Sequence, residues 1–385
     1  MKHLLPLVLV CLGLVGCATN GNQSAGSQTI TNDVTAHRAE LMAPAKFGST
    51  RFFREFGEKA TQSSQEAFEQ NANAEAIEEY IYFLAGRNGF LDQARNGFLG
   101  SDWKTIGYNV LQDRYSSDKQ QIEWEFLHVE RRDGYVHSYF AVHISGHINY
   151  LNVVWSENSE TIVEMHKVLY KYGELEALVS IDQLLESEQY SQIERSYFRH
   201  TMQAINRSDF QQFKIRFKEL PDDLKSHPLL IDNLVQIAAT DTSGILWNQL
   251  IRELAREHEP HSQYYKHYLI SEQDEKALEA LDTLPEFIQR HAGVLIERAA
   301  IYYDLDQMDK ATLMANQAII NDPYLVMPYV VKLMVALKSD DSEGALLTLQ
   351  VLKLRFEIEY DKAGLQELEG ADRFLKTSFA EQYFG

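Results

Sequence analysis

The C-terminal part of the chain is decided by residues 258–359, which fall into three consecutive rows of 34: HEPHSQYYKHYLISEQDEKALEALDTLPEFIQRH (258–291), AGVLIERAAIYYDLDQMDKATLMANQAIINDPYL (292–325) and VMPYVVKLMVALKSDDSEGALLTLQVLKLRFEIE (326–359). Small residues align at Ala277, Ala311 and Ala345. The columns Leu281/Ala315/Leu349 and Leu284/Ala318/Leu352 keep the same spacing, as do Tyr265/Ala299/Leu333 and Tyr268/Tyr302/Ala336 earlier in each row. A small side chain at a helix crossing lets two axes approach, and an apolar stripe on each helix is buried by the neighbouring unit. Self-similarity at this period is the mark of a helical repeat array. Asp322-Pro323 closes the middle row.

These rows resemble the tetratricopeptide (TPR) repeat, a helix–turn–helix of 34 residues. The resemblance implies an all-α TPR-like helical repeat solenoid over residues 187–385. In it Ala277, Ala311 and Ala345 pack at helix crossings and Pro323 ends a second helix. Two earlier rows, 190–223 and 224–257, fit loosely: Phe213, Pro221, Leu234, Trp247 and Leu250 are in register, whereas Asp209 and Ser243 stand at the small positions. Residues 362–384 read as a closing cap. By the same resemblance, first-helix positions line an inner surface, here Ile296, Ala300 and Tyr303, then Val330, Met334 and Leu337. That surface would take a partner's helix or extended peptide; the competing reading is that the cap or the preceding domain fills it.

Residues 33–186 read differently. Helical periodicity runs from Arg51 to about Arg114, with Ile77, Tyr80, Ile81 and Leu84 on one stripe. The segments 121–131, 135–144, 147–156 and 160–168 are rich in aromatic and β-branched residues and are separated by Asp133-Gly134, Ser145-Gly146 and Glu157-Asn158-Ser159. Helices followed by an antiparallel meander predict an α+β domain. Its element order resembles the cone-shaped ketosteroid isomerase-like fold. Histidines are frequent here: His128, His137, His143, His147 and His166. His137 and His143 share strand parity and so one sheet face. A metal centre needs three or four convergent ligands, and the favoured reading is rim or solvent-facing histidines. The carboxylate pairs Glu123/Glu125 and Glu130/Asp133 read as a solvated strand face and turn.

At the N-terminus, Lys2 precedes an apolar run from Leu4 to Val15 that is too short to span a bilayer and has signal-peptide length. It ends in Leu14-Val15-Gly16-Cys17, which resembles the bacterial lipobox. The resemblance implies a signal over residues 1–16 and lipidation of Cys17. With Ala18 and not Asp next, it implies sorting to the outer membrane, facing the periplasm. Residues 18–32 are polar and uncharged, a tether with an r.m.s. reach of roughly 20 Å.

The chain has 385 residues, 45% of them hydrophobic, and a formal net charge of −20. That charge argues against nucleic acid, whose binding needs clustered Lys and Arg. The two cysteines, Cys11 and Cys17, leave no pair for an internal disulfide once the signal is removed. No Gly-rich phosphate loop, nucleophile elbow or Cys-based metal knuckle is present, and the His258-Glu259-Pro260-His261 run has the wrong spacing for a zinc helix. The expectation is a non-enzymatic lipoprotein adaptor that binds protein partners of the cell envelope, without metal or cofactor. An envelope hydrolase or small-ligand-binding protein with a pocket in the α+β domain is the alternative class.

Overall fold

The computed structural model describes residues 45–87, 122–144, 147–170, most of 172–234 and, apart from 257 and 258, 255–385. Cys17, the tether, the expected helix around Trp103–Leu111, and Ser243, Trp247 and Leu250 lie outside the described residues. The chain divides into two compact units. One ends at Lys167 and takes in Gly173–Val179; the other comprises Val168–Tyr172 and Ser180–Gly385.

The first unit opens with helices α1 (Thr50–Gln62), α2 (Ser64–Asn71) and α3 (Ala74–Arg87). Ser49 caps α1 by accepting from Phe52 N–H, and Ser63 ends α1 and caps α2 by accepting from Glu66 N–H. One serine therefore satisfies an orphan carbonyl at the end of α1, by donating its N–H to Lys59 O, and an orphan donor at the start of α2. Strands β1 (Ile122–Arg132), β2 (Tyr135–Ile144), β3 (His147–Ser156) and β4 (Ile162–Lys167) form one antiparallel sheet in sequence order. The expected strands match these bounds within two residues. The β1–β2 turn is Asp133-Gly134 with both φ positive, 56° and 81°, the geometry whose twist suits a two-residue hairpin.

Strand parity separates the two faces of the sheet. One face carries Trp124 and Phe126 of β1, Phe140 of β2 and Trp155 of β3, and α1 covers it with Phe53 and Phe56. Phe56 and Trp155 meet edge to face at 5.0 Å between centroids, and Phe53 stacks on Phe126 at 5.8 Å. Each fully buried aromatic of this kind contributes about 1.5–3 kcal/mol. The indole N–H of Trp155 donates to Ser138 Oγ at 2.8 Å, and that of Trp124 donates to Ser64 Oγ at 3.1 Å. The polar ends of both rings are thus satisfied inside the core.

The second unit is mostly helical. It contains α4 (Gln192–Asn206), α5 (Phe210–Glu219) and α6 (Asp222–Lys225), then α7 (Tyr265–Ile270), α8 (Asp274–Asp282), α9 (Glu286–Gln289), α10 (Ala292–Asp304), α11 (Met308–Asn321), α12 (Met327–Lys338) and α13 (Ser342–Phe356), and ends in α14 (Lys362–Gln366), α15 (Ala371–Phe374) and α16 (Ser378–Phe384). Asp209, which departs from the small-residue pattern, caps α5 by accepting from Gln212 N–H.

Helices α7/α8, α10/α11 and α12/α13 pair as hairpins, and their turns repeat every 34 residues. Glu272, Asp306 and Asp340 all adopt left-handed φ, between 56° and 61°. In each turn the next residue's N–H reaches back to the helix: Gln273 to Tyr268 O, Gln307 to Tyr302 O and Asp341 to Ala336 O, at 2.8–2.9 Å. A second bond runs from each left-handed residue to Leu269, Tyr303 and Leu337 O. This is the Schellman ending of a helix, made three times without glycine. Ala277, Ala311 and Ala345 are fully buried, as are Ala315, Ala318, Leu349 and Leu352. Pro323 follows α11, and its carbonyl accepts from Tyr329 Oη at 3.3 Å.

Candidate docking surface and a buried polar row

The six residues expected to line an open inner surface are not an open surface. Tyr303, Val330, Met334 and Leu337 are buried, and Ile296 and Ala300 are half-buried. At one end the cover is the C-terminal cap. Tyr303 Oη donates to Glu369 Oε2 at 3.4 Å. Lys338 Nζ lies 4.6 Å over the Tyr303 ring and bridges Asp306 at 2.6 Å and Glu369 at 3.3 Å. Arg373 donates to Lys338 O. Gly370 has φ 85°, and a Cβ there would lie 2.1 Å from Leu337 O, so only glycine lets the cap approach this closely. The cap thus covers Tyr303 and Leu337.

Besides Ile193, Ile215 and Ile270, exposed large apolar side chains gather on and just after the second helix of two hairpins. Leu313 and Ile320 project from α11, Tyr324 follows it, and Leu347, Val351 and Leu354 project from α13. Ile320 and Tyr324 are each 78% exposed and Leu354 is 83% exposed. Leu313 and Leu347 are 34 residues apart, as are Ile320 and Leu354, so the row obeys the same period as the buried columns. The Arg355 guanidinium lies 5.0 Å over the Tyr324 ring, which joins the end of α13 to the end of α11. Helix α13 also buries Ala345, Leu346, Leu349 and Leu352. It is apolar nearly all round, the pattern of a helix covered on both sides. Arg355 stands at the exposed end of this row, a cation in an acidic chain, and Lys353 beside it is paired with Glu359.

In the first unit, the sheet face opposite the aromatic core carries a polar row. The register sets Glu130 beside His137, Tyr139 beside Asn152 and Asn152 beside His166. Asn152 Nδ2 lies 3.1 Å from His137 Nδ1 and 3.4 Å from His166 Nε2. Burial, and then the Arg132 guanidinium, pull His137 down to about 4 against the opposing pull of Glu130. Burial, and then His137 and Arg132, pull His166 down to about 4. Both rings are neutral at pH 7. Glu130 accepts from Tyr139 Oη at 2.8 Å, and burial followed by that carboxylate raises the phenol.

Sequence parity placed His137 and His143 on one face, and the structure agrees. His137, however, is 6% exposed, so the expectation of a rim or solvent-facing side chain fails for it. His143 is half-buried, with Nε2 3.4 Å from Glu125. The side chain of His147 lies outside the described residues. His261 caps a helical turn by accepting from Gln263 N–H, a structural use of the His-Glu-Pro-His run. Asn152 and Glu164 were missed: their parity was readable, but their partners lie on other strands and depend on register. Among the described residues no helix is long and apolar enough to cross a membrane. No protein-family model matches the chain, and no curated protein or solved structure is significantly similar to it.

Proposed function

We propose that this chain is an outer-membrane lipoprotein, lipidated at Cys17 and facing the periplasm, that works as a protein–protein adaptor. The three hairpins are read as units of a TPR-like solenoid, and the row from Leu313 to Leu354 as its docking face. The observation that carries this reading is the amount of apolar side chain left exposed on α11 and α13. Isolated exposed leucines are ordinary, whereas exposed apolar side chains repeated along two second helices point to an interaction site. The partner is an envelope protein that presents an apolar helical stripe with an acidic residue at the end that meets Arg355. Tethering at a membrane raises the local concentration of such an adaptor.

The test is the double substitution Leu347→Glu with Leu354→Glu, followed by co-purification from solubilised membranes. The partner should be reduced at least tenfold while the melting temperature is retained; undiminished recovery would remove the docking face from the account. The second reading, an envelope hydrolase or small-ligand-binding protein, draws on the convergence of His137, Asn152 and His166. It requires a substrate to reach groups of which His137 and Asn152 are buried.

A further inference from the structure

We propose that His137, Asn152 and His166 form an acid-operated switch that holds the β4 edge of the sheet, and with it the Gly173–Val179 segment, in place at neutral pH and frees both in acid.

Asn152 sits on β3 between two strands, and its Nδ2 is the shared neighbour of one imidazole on β2 and another on β4. An amide N–H₂ donating to both rings requires a lone pair on each facing nitrogen, so the ring protons sit on His137 Nε2 and His166 Nδ1. Turned over, the amide oxygen would accept from both rings. Either way one amide serves two imidazoles, and their protonation is coupled.

The attachment continues along β4. Glu164, two residues before His166 on the same face, is 1% exposed. Its Oε1 accepts from Met165 N–H and its Oε2 from Leu175 N–H, both at 2.9 Å. A Cβ on Gly173 would lie 2.8 Å from Glu164 Oε2 and 3.3 Å from His166 Nδ1. Backbone at 173 and 175 is therefore pressed against the Glu164–His166 pair, and Leu175 and Val179 are fully buried in the same core. His166 Nδ1 and Asn152 Oδ1 are shielded from solvent and lack a hydrogen-bond partner. A buried polar array left partly unsatisfied is held weakly.

The charged groups facing the row are Glu130 and Arg132 of β1, Asp133 of the turn, and Glu164 of β4. Arg132 opposes a second and third cation, Glu130 and Asp133 favour charge on His137, and Glu164 is already engaged by two backbone N–H groups. Two imidazoliums sharing one amide beside Arg132 would put one cation at buried His137 and a second at half-buried His166, whose Nδ1 is shielded from solvent. The depressed folded-state pKa values fix the sign. The unfolded chain takes up protons near pH 6.5 and the folded chain near 4, so the attachment is complete above about pH 6.5 and is lost as pH falls toward 4.

Amide hydrogen exchange on the full chain, corrected for intrinsic rates, reads this directly between pH 7 and 4.5. Protection at Glu164–Lys167 and Leu175 should fall at least tenfold in acid while Phe140 and Val153 stay protected. His137→Gln and His166→Gln should each flatten that dependence, and Gly173→Ala should release the same amides already at pH 7. Imidazole ¹⁵N shifts of the unmodified chain provide a readout that does not depend on variants folding. Both rings should stay neutral below pH 5.5, with protons on His137 Nε2 and His166 Nδ1 or the exchanged pair. Titration of either ring near 6.5, or protection that is flat across the range, would overturn the proposal.

Discussion

On one face of the four-stranded sheet, polar groups are buried: His137, Asn152 and Glu164 sit out of water between strands. On the second helices of the last two hairpins, apolar groups are exposed: Leu313, Ile320, Leu347 and Leu354 stand in water. Buried polar groups and contiguous exposed apolar groups are the informative departures from an ordinary globular pattern. The two departures differ in cost. A buried polar row must be satisfied from inside the protein and fails when its protonation changes. An exposed apolar row costs the free chain little and gains its value when something covers it. The first unit therefore invites perturbation by pH, and the second by surface substitution.

The comparison can be broken most forcefully inside the hairpins. Ala311 is fully buried between α11 and its neighbours. Ala311→Trp should overpack that crossing and lower stability by about 1–3 kcal/mol or more. Urea unfolding checks this, and an unchanged midpoint would contradict the close approach of the helices. A smaller effect of opposite sign is expected at the turns. Glu272 holds a left-handed φ of 56°, which costs any residue with a Cβ. Glu272→Gly should raise stability by roughly 0.5–1 kcal/mol, read as a rise in melting temperature. The smallest stability effect belongs to Leu347→Glu with Leu354→Glu, about 0.5 kcal/mol or less per site, although the same pair is expected to reduce partner recovery at least tenfold. A large loss of stability there would mean that the row packs within the folded chain.

Much of this architecture was readable from the residues. The strands announced themselves by alternation and by turn chemistry at Asp133-Gly134. The hairpins announced themselves because burial at Ala277, Ala311 and Ala345 needs the same small residue at each crossing. The turn at Glu272, Asp306 and Asp340 was not readable as such, since acidic residues are no usual sign of a left-handed helix end. The docking face was expected on the first helices, at Tyr303, Val330, Met334 and Leu337. The cover over Tyr303 and Leu337 was not readable, because the cap sequence does not reveal that Glu369 and Gly370 reach them. A signal did exist in α13, where Leu347, Val351 and Leu354 add a second apolar side to one already made by Leu349 and Leu352. The polar row was half visible: parity grouped the β2 histidines, but the pairing of Asn152 with His137 and His166 is a matter of register.

The most direct test of the central claim is photo-crosslinking in living cells, with the crosslinker placed in turn at Leu347, Leu354 and Met334. The account predicts one discrete adduct in the membrane fraction, the same from 347 and 354 and absent from buried Met334, its added mass differing from that of the chain itself. An adduct from Met334 alone, an adduct of twice the chain's mass, or no adduct from either exposed position would contradict it.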